Sequence, residues 1–268
     1  MANGLNPRSV LLVTLDSCRY DSFLAARAPE MKAIGPLHRA MAPANFTFGS
    51  HASIFVGFTP GVPDVATPFV NPKFARIFRL AGGGFPGHKA PFISLEGRNI
   101  VDGFRRKGFA TLGSGAVGWF NPETETGAVL TEGFDEFFYP GNGSSLDAQI
   151  AWLRNQVRGQ GERPIFLFLN IGETHVPYFF KGAGWDPGYN PCVPFGSNND
   201  EEECRRRQIA CVEYVDTQLA GLLELFVGAT TVLCADHGDC WGEDGVWEHG
   251  VSHPKVLEVP LLFRLGAV

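Results

Sequence analysis

The chain has 268 residues, 44% of them hydrophobic and 19% charged, a balance typical of a globular domain rather than a disordered chain. Its formal net charge of -6 argues against a general nucleic-acid or anionic-membrane binder. No apolar run approaches the ~20 residues of a membrane span, and no basic and apolar leader precedes the first predicted strand near Val10. We therefore predict one cytoplasmic domain, residues 1–268, without nucleic-acid or membrane partners. The composition leaves the oligomeric state open.

In the first half of the chain, apolar runs and helical spacing predict a strand at Ser9–Leu15 and a short helix from Thr47 to Gly57. Residues 61 to 95 are rich in Pro, Gly and Phe and are predicted to form an irregular excursion. An amphipathic helix, an edge strand and a loop are predicted to follow at Asn99–Lys107, Gly108–Thr111 and Trp119–Thr131.

The second half of the chain alternates between helical and strand patterns. The predicted elements are a helix at Leu146–Val157, a strand at Pro164–Ile171, a helix at Cys204–Phe226, a strand at Thr231–Ala235 and a last strand at Glu258–Phe263. Residues 181 to 203 form a predicted surface loop or lid. The alternation predicts an α/β fold, with a doubly wound, mostly parallel sheet and helices on both faces.

Acids and histidines follow three of these predicted strands. Asp16 follows the first, Glu173 and His175 follow the third, and Asp236-His237 begins a glycine-rich loop that ends at His249. In an open α/β sheet such strand ends converge on one crevice, where carboxylates and imidazoles can share a metal ion. The alternative is that Asp16 and Asp236 only cap a helix and a turn.

Thr47 stands at the start of the short helix. Free N–H groups and the helix dipole favour an anion such as a phosphoryl group at that position. Capping alone is the other interpretation of Thr47.

These motifs resemble the alkaline phosphatase superfamily, most closely the sulfatase-like branch with phosphonate monoester hydrolases, phosphoethanolamine transferases and lipoteichoic acid synthases. The resemblance spans nearly the whole chain. It rests on the segments 12–21, 47–57, 133–135, 175–178, 211–223 and 236–250, in the family's order. It implies a compact alkaline phosphatase-like domain without the C-terminal sulfatase subdomain.

The resemblance also implies roles for single residues. Asp16, Thr47, Asp236 and His237 are expected to hold the core metal, with Thr47 as nucleophile. His175 and His249 are expected to bind the substrate's other oxygens or a second metal. Mixed carboxylate and imidazole ligands favour Zn²⁺, with Mn²⁺ as the alternative.

Several positions depart from the family pattern. Thr47 cannot be oxidised to the formylglycine of classical sulfatases, and the Pro and Arg that follow their nucleophile are Gly49 and His51 here. Ser17 replaces a second acid, and Ile171 replaces the acid of two-zinc phosphatases. One tightly held metal is therefore expected, with a second left open.

The remaining candidates are less specific. Glu173 is an extra ligand, a base or a loop cap, while Arg19, His51, Tyr178 and Lys181 are candidate substrate contacts. The acids of the loop after His237, Asp239 among them, have two interpretations: they are solvated surface residues, or their charge disfavours highly anionic substrates. The six cysteines have no Cys-x-x-Cys pair and are predicted to be free thiols; Cys240 lies close enough to the motif to be considered for substrate contact.

The predicted activity is metal-dependent cleavage of a phosphate or phosphonate ester through a covalent phospho-threonine intermediate. The substrate is a small molecule or a carrier-tethered phospho-ester. Two alternatives remain: a transferase with a specific acceptor, and a non-catalytic metal-containing protein that binds a phosphorylated ligand.

Overall fold

The computed structural model describes residues 5–57 and 99–266, together with the backbone of two short strands, Arg79–Gly82 and Pro91–Ser94, which pair antiparallel. The rest of the excursion predicted for residues 61 to 95 lies outside the described residues. In the described parts of the chain, no helix is both long enough and apolar enough to span a membrane.

A seven-stranded sheet organises the fold. Its strands are β1 (Val10–Leu15), β2 (His38–Met41), β5 (Ala110–Gly115), β6 (Glu136–Phe138), β7 (Ile165–Ile171), β8 (Thr230–Ala235) and β11 (Glu258–Arg264). The two antiparallel strands near residues 80 and 92 are β3 and β4, and Cys240–Trp241 (β9) pairs with Trp247–Glu248 (β10). The spatial order of the sheet is β2-β11-β8-β1-β7-β5-β6. Strands β8, β1, β7, β5 and β6 run parallel, and β11 runs antiparallel to both of its neighbours.

Helices cover both faces of the sheet, so the predicted doubly wound α/β class is confirmed. The helices are α1 (Tyr20–Ala25), α2 (Pro29–Lys32), α3 (Thr47–Val56), α4 (Ile100–Arg106), α5 (Glu125–Thr131), α6 (Leu146–Gly159), α7 (Glu201–Leu225) and α8 (Pro254–Leu257). Side chains alternate across β7: Leu167 and Leu169 pack with α1, α2, α6 and α7, whereas Phe166 and Phe168 pack with α3, α4 and α5. Both faces of β7 are buried, which explains its continuous apolar run.

Two predicted elements are wrong. The strand predicted at an edge is β5, which lies between β7 and β6 and is fully buried. The predicted loop at Trp119–Thr131 contains α5, which the Thr124 side chain caps by accepting from the Gly127 N–H at 3.0 Å. Thr and Gly have low helix propensity, so capping and burial of Leu130 form this helix against the composition of the segment.

The segment 181–203 is irregular up to Asp200, and its last three residues begin α7. Asp200 caps α7 by accepting from the Glu203 N–H at 3.0 Å. A lid function for residues 181–200 stays a prediction.

Candidate metal centre

The two central acids stand side by side because their strands do. Leu15 and Ala235, the last residues of β1 and β8, are register partners. Asp16 and Asp236 directly follow them in the chain. Asp236 Oδ1 accepts from the backbone N–H groups of Ser17, at 3.1 Å, and His237, at 2.9 Å. These two hydrogen bonds orient the Asp236 carboxylate and engage only its Oδ1 atom, so that Oδ2 has no hydrogen-bond partner among the described residues. Both acids are fully buried.

Thr47 is brought to these acids by the first turn of α3. It is the first residue of that helix. The hydroxyl of Ser50, the fourth residue of the same helix, donates to the Asp236 carbonyl oxygen at 2.7 Å. Thr47 Oγ1 lies 3.4 Å from Asp16 Oδ2 and 3.3 Å from His237 Nε2. The hydroxyl therefore sits between a carboxylate and an imidazole at a helix N-terminus.

His237 completes the cluster. Its Nδ1 donates to the Gly238 carbonyl oxygen at 3.0 Å, so Nε2 carries the lone pair that faces the acids. That Nε2 lies 3.7 Å from Asp236 Oδ2 and 3.9 Å from Asp16 Oδ1. One ligand atom from each of Asp16, Asp236 and His237 lies within 4.8 Å of the others. The structure thus brings together all four residues expected at the core metal.

The electrostatics of this cluster fit a divalent cation. Burial and the charge of Asp16 raise the pKa of Asp236 well above its ordinary value, and burial lowers the pKa of His237 to about 4. Asp236 Oδ2 is buried and has no hydrogen-bond partner, and no described Lys or Arg side chain pairs with either acid. Buried carboxylates without a partner are costly unless a cation compensates them. Two carboxylates, a neutral imidazole and a hydroxyl form a donor set that can bind such a cation.

A second cluster continues from His237. The rings of His237 and His249 lie 4.5 Å apart, and those of His249 and His175 lie 5.2 Å apart. Ligand atoms of His237, Asp239 and His249 also lie within 4.8 Å of one another. The structure therefore places both predicted oxygen-binding histidines beside the core cluster. His175 Nδ1 donates to the Val176 carbonyl oxygen at 2.8 Å, which fixes the orientation of the ring.

Asp239 is a site residue that the sequence interpretation underestimated. It is fully buried rather than solvated; its Oδ1 lies 2.8 Å from His249 Nδ1 and its Oδ2 accepts from the Tyr178 hydroxyl at 2.8 Å. Trp241 Nε1 in turn donates to the Tyr178 oxygen at 2.8 Å. Burial of the His249 ring lowers its pKa, but the hydrogen bond and charge of Asp239 outweigh burial and raise that pKa to about 9.

We expect Asp239→Asn to lower the pKa of His249 in metal-free protein from about 9 toward its ordinary value of 6.5. Because the folded-state pKa is the higher one, the pair stabilises the fold fully below about pH 6.5, and this contribution is lost as the pH rises through 9. NMR titration of the histidine ring protons measures the pKa, and the slope of the unfolding free energy between these pH values should flatten in the variant.

The matched control for this titration is Asp244→Asn, in the same loop, whose side chain is 85% exposed and contacts His253 instead. An unchanged His249 pKa in Asp239→Asn would contradict the assignment of Asp239.

Asn170 was also missed. Its side chain amide lies 3.4 Å from Asp16 Oδ2, and its oxygen accepts from the Ala116 N–H at 3.3 Å. It is the single polar residue in the run Ile165–Ile171, which is the signal that could have found it.

Glu173 does not join the cluster of candidate metal ligands. Its Oε1 accepts from the Leu146 N–H at 2.8 Å, at the start of α6, and burial raises the pKa of Glu173 to about 7. Glu173 therefore caps the start of α6 rather than its own loop, and its role as an extra ligand or base stays a prediction.

The four candidate substrate contacts are all engaged elsewhere. Arg19 is 1% exposed, pairs with Asp21 and Glu243, and stacks 4.0 Å from the Trp241 ring. Buried His51 donates to the Thr47 carbonyl oxygen and accepts from Thr14 Oγ1, both at 2.8 Å. Tyr178 is buried against Asp239, and the 78%-exposed Lys181 side chain pairs with Asp147 at 3.3 Å.

The predicted free thiols are what the structure shows. All six cysteines are free, and five are buried, including Cys240. Burial raises the pKa of Cys240 to about 12, so its thiol is neutral.

No protein-family model matches the sequence, and no curated protein matches it. Solved structures do. The C-terminal periplasmic domain of the phosphoethanolamine transferase EptC from Campylobacter jejuni matches with a TM-score of 0.65 at 13% identity, over 98% of this chain and 81% of that chain. The zinc complex of the Escherichia coli EptC periplasmic domain matches with a TM-score of 0.64 at 14% identity, over 99% and 74%. Phosphonate monoester hydrolase of Agrobacterium radiobacter matches with a TM-score of 0.59 at 14% identity, over 96% and 68%.

These neighbours correct one expectation and confirm another. The predicted cytoplasmic location is wrong in this comparison, because both EptC structures are periplasmic domains. The suspected relationship is confirmed at the level of architecture, since the neighbours include transferases, a hydrolase and a Vibrio parahaemolyticus protein described as a member of the superfamily. The chain therefore has the same fold as these solved structures, one of which is described as a member of the alkaline phosphatase superfamily.

Proposed function

We propose that this protein is a metal-dependent phosphotransferase or phosphohydrolase that cleaves a phosphate or phosphonate ester through a covalent phospho-Thr47 intermediate. The observation that carries the proposal is the position of Thr47 Oγ1, within 3.4 Å of both Asp16 and His237 at the first turn of α3. A hydroxyl held there is positioned as a nucleophile.

The core cation is Zn²⁺ in this proposal, with Asp16, Thr47, Asp236 and His237 as its ligands. The mixed oxygen and nitrogen donor set favours zinc, and one structural neighbour is a zinc complex. When bound, the cation lowers the pKa of the Thr47 hydroxyl and neutralises negative charge on the transferred group. Mn²⁺ is the second choice.

The chain's own residues divide the remaining work. In the first step the Thr47 hydroxyl loses its proton and Oγ1 bonds to phosphorus, while the bond from phosphorus to the departing alcohol breaks and the alcohol oxygen gains a proton. His175 and His249 hold the other phosphoryl oxygens, and Asp239 fixes the orientation of His249 through its hydrogen bond. In the second step water or an acceptor hydroxyl loses a proton and bonds to phosphorus, while the bond from phosphorus to Thr47 Oγ1 breaks and Thr47 regains a proton.

The periplasm is the proposed location, in keeping with the EptC neighbours. A transferase is the form of the activity that those neighbours favour, since they are phosphoethanolamine transferases. The substrate in this proposal is a small-molecule or carrier-tethered ester, and nucleic acid is not a partner.

The activity is tested with four nitrophenyl esters: phosphate monoester, phosphate diester, phenylphosphonate and sulfate. Each is incubated with metal-free protein and with protein reloaded with Zn²⁺, Mn²⁺, Mg²⁺ or Ca²⁺. We expect turnover of a phospho-ester with Zn²⁺ or Mn²⁺, no turnover of the sulfate, and mass spectrometry of acid-quenched protein showing a phosphoryl group on Thr47. Tight binding of phosphate esters without turnover or phosphoenzyme would instead support a non-catalytic binding protein.

A further inference from the structure

A cavity of about 250 Å³ lies at the carboxyl ends of β5, β6 and β7, beside the histidines of the metal centre. Its walls come from three loops, residues 116–118, 139–144 and 172–179. The volume corresponds to roughly eight water molecules at about 30 Å³ each, which suits a group the size of a sugar ring but not a lipid chain.

His175 lies between the cavity and the proposed phosphoryl site. This residue lines the cavity, and its ring lies 5.2 Å from that of His249, which lies 4.5 Å from His237 beside Thr47. A group esterified to a phosphorus atom at Thr47 can therefore extend past His175 into the cavity.

The described lining of the cavity contains no Asp, Glu, Lys or Arg side chain, and it includes four glycines. A charged ammonium or carboxylate head group entering such a space would lose water without gaining an ionic partner, which is costly. The lining therefore disfavours charged head groups.

What the cavity does offer is aromatic surface and neutral hydrogen-bonding groups. Tyr139 and Phe179, two half-buried aromatic residues, are part of its lining. Asn142 Oδ1 accepts from Ser144 N at 3.0 Å and from the Ser145 hydroxyl at 2.6 Å, which leaves the amide N–H groups of Asn142 without a partner among the described residues. Aromatic rings packed against C–H groups, with a few neutral donors at the edge, suit a hydroxyl-bearing ring.

Close backbone packing fixes the shape of this cavity. A Cβ atom on Gly172 would lie 2.6 Å from the Gly143 carbonyl oxygen and 3.1 Å from Ala116 Cβ. The three loops are thus in contact at a position where only glycine fits, and the cavity is formed before any ligand arrives.

We propose that this cavity binds the alcohol part of the substrate, and that this alcohol is a neutral, hydroxyl-bearing ring such as a sugar or cyclitol. The inference rests on the proposed function and specifies its substrate class. The proposed substrate therefore differs from that of the phosphoethanolamine transferases among the structural neighbours: the group esterified to phosphorus is a neutral ring instead of ethanolamine.

The test compares three probes by calorimetry on zinc-loaded protein: inorganic phosphate, myo-inositol 1-phosphate and O-phosphoethanolamine. We expect inositol phosphate to bind about tenfold more tightly than phosphoethanolamine. Tyr139→Ala should remove most of this preference while leaving the Kd of inorganic phosphate unchanged. The control Phe195→Ala, which removes a fully exposed aromatic ring, should change nothing.

A second variant guards against misfolding of Tyr139→Ala. Asn142→Asp keeps the oxygen that accepts from Ser144 and Ser145 but adds a negative charge at the cavity, so it should shift the preference toward phosphoethanolamine. Wild-type protein that prefers phosphoethanolamine, or a preference unmoved in both variants, overturns the cavity assignment while phosphate binding still supports the catalytic site. Protein that holds zinc but binds no phosphate overturns both.

Discussion

Replacing Thr47 with alanine should reduce kcat/KM for the best nitrophenyl phospho-ester by at least about a thousandfold. The hydroxyl is both the proposed nucleophile and a proposed metal ligand, and it lies within 3.4 Å of both Asp16 and His237. The measurement is steady-state kinetics on zinc-loaded protein, with phosphoenzyme formation followed in parallel. Thr47→Ser, which keeps a hydroxyl, should retain part of the activity and form a phosphoenzyme.

The matched control is Thr217→Ala. This exposed threonine lies on α7, where its hydroxyl donates to the Glu213 carbonyl oxygen, remote from the strand ends. Metal content must be measured in each preparation, because loss of activity in Thr47→Ala is informative only in protein that holds its cation. Undiminished turnover by metal-loaded Thr47→Ala would refute the nucleophile assignment.

Asp236→Asn should weaken zinc binding by about a hundredfold or more and, in the same protein, raise the Tm of the metal-free form. The two effects have one cause. Burial and the charge of Asp16 raise the pKa of Asp236, so the carboxylate destabilises the metal-free fold while serving as a ligand in the metal-bound one. Asparagine keeps the oxygen that accepts from Ser17 and His237 and removes the repulsion.

Zinc affinity is measured by competition with a chromophoric chelator, and thermal unfolding is followed with and without excess chelator. Asp186→Asn is the control, since this exposed acid accepts from the Gly188 N–H in its own turn. If the metal-free variant melted at a lower temperature than metal-free wild type, the acids would be compensated in some other way, and the argument for a cation at this position would fail.

Much of the fold follows from local sequence patterns. Strands β1, β7 and β8 are continuous apolar runs, because their positions at the centre of a doubly wound sheet bury both faces. The position of β5 in the sheet could not be predicted in this way. The strand is internal only because β6, which has three residues, pairs with it, and the local sequence does not indicate that tertiary contact. The helix α5 was missed because capping by Thr124 outweighs a weak intrinsic propensity.

The candidate site divides along a similar line. Asp16, Thr47 and Asp236 were predictable because each follows directly from a strand end or a helix start. Asp239 was not, since it looks like an acid in a solvated loop; only the fold shows that Tyr178 and His249 enclose it. Arg19 is the opposite case. Its charge suggested a substrate contact, but the folded structure pairs its guanidinium group with Asp21 and Glu243.

The neighbouring strands β1 and β8 come from opposite ends of the described chain, and this has a consequence for the protein's lifetime. Asp16 and Asp236 meet only after the chain has folded, so the unfolded chain has no comparable site. In the proposed enzyme, zinc at 100 times its Kd would add about 2.7 kcal/mol to the stability of the folded state. Scarcity of zinc would then increase the unfolded fraction that proteases can degrade, and metal supply would set the abundance of the protein as well as its activity.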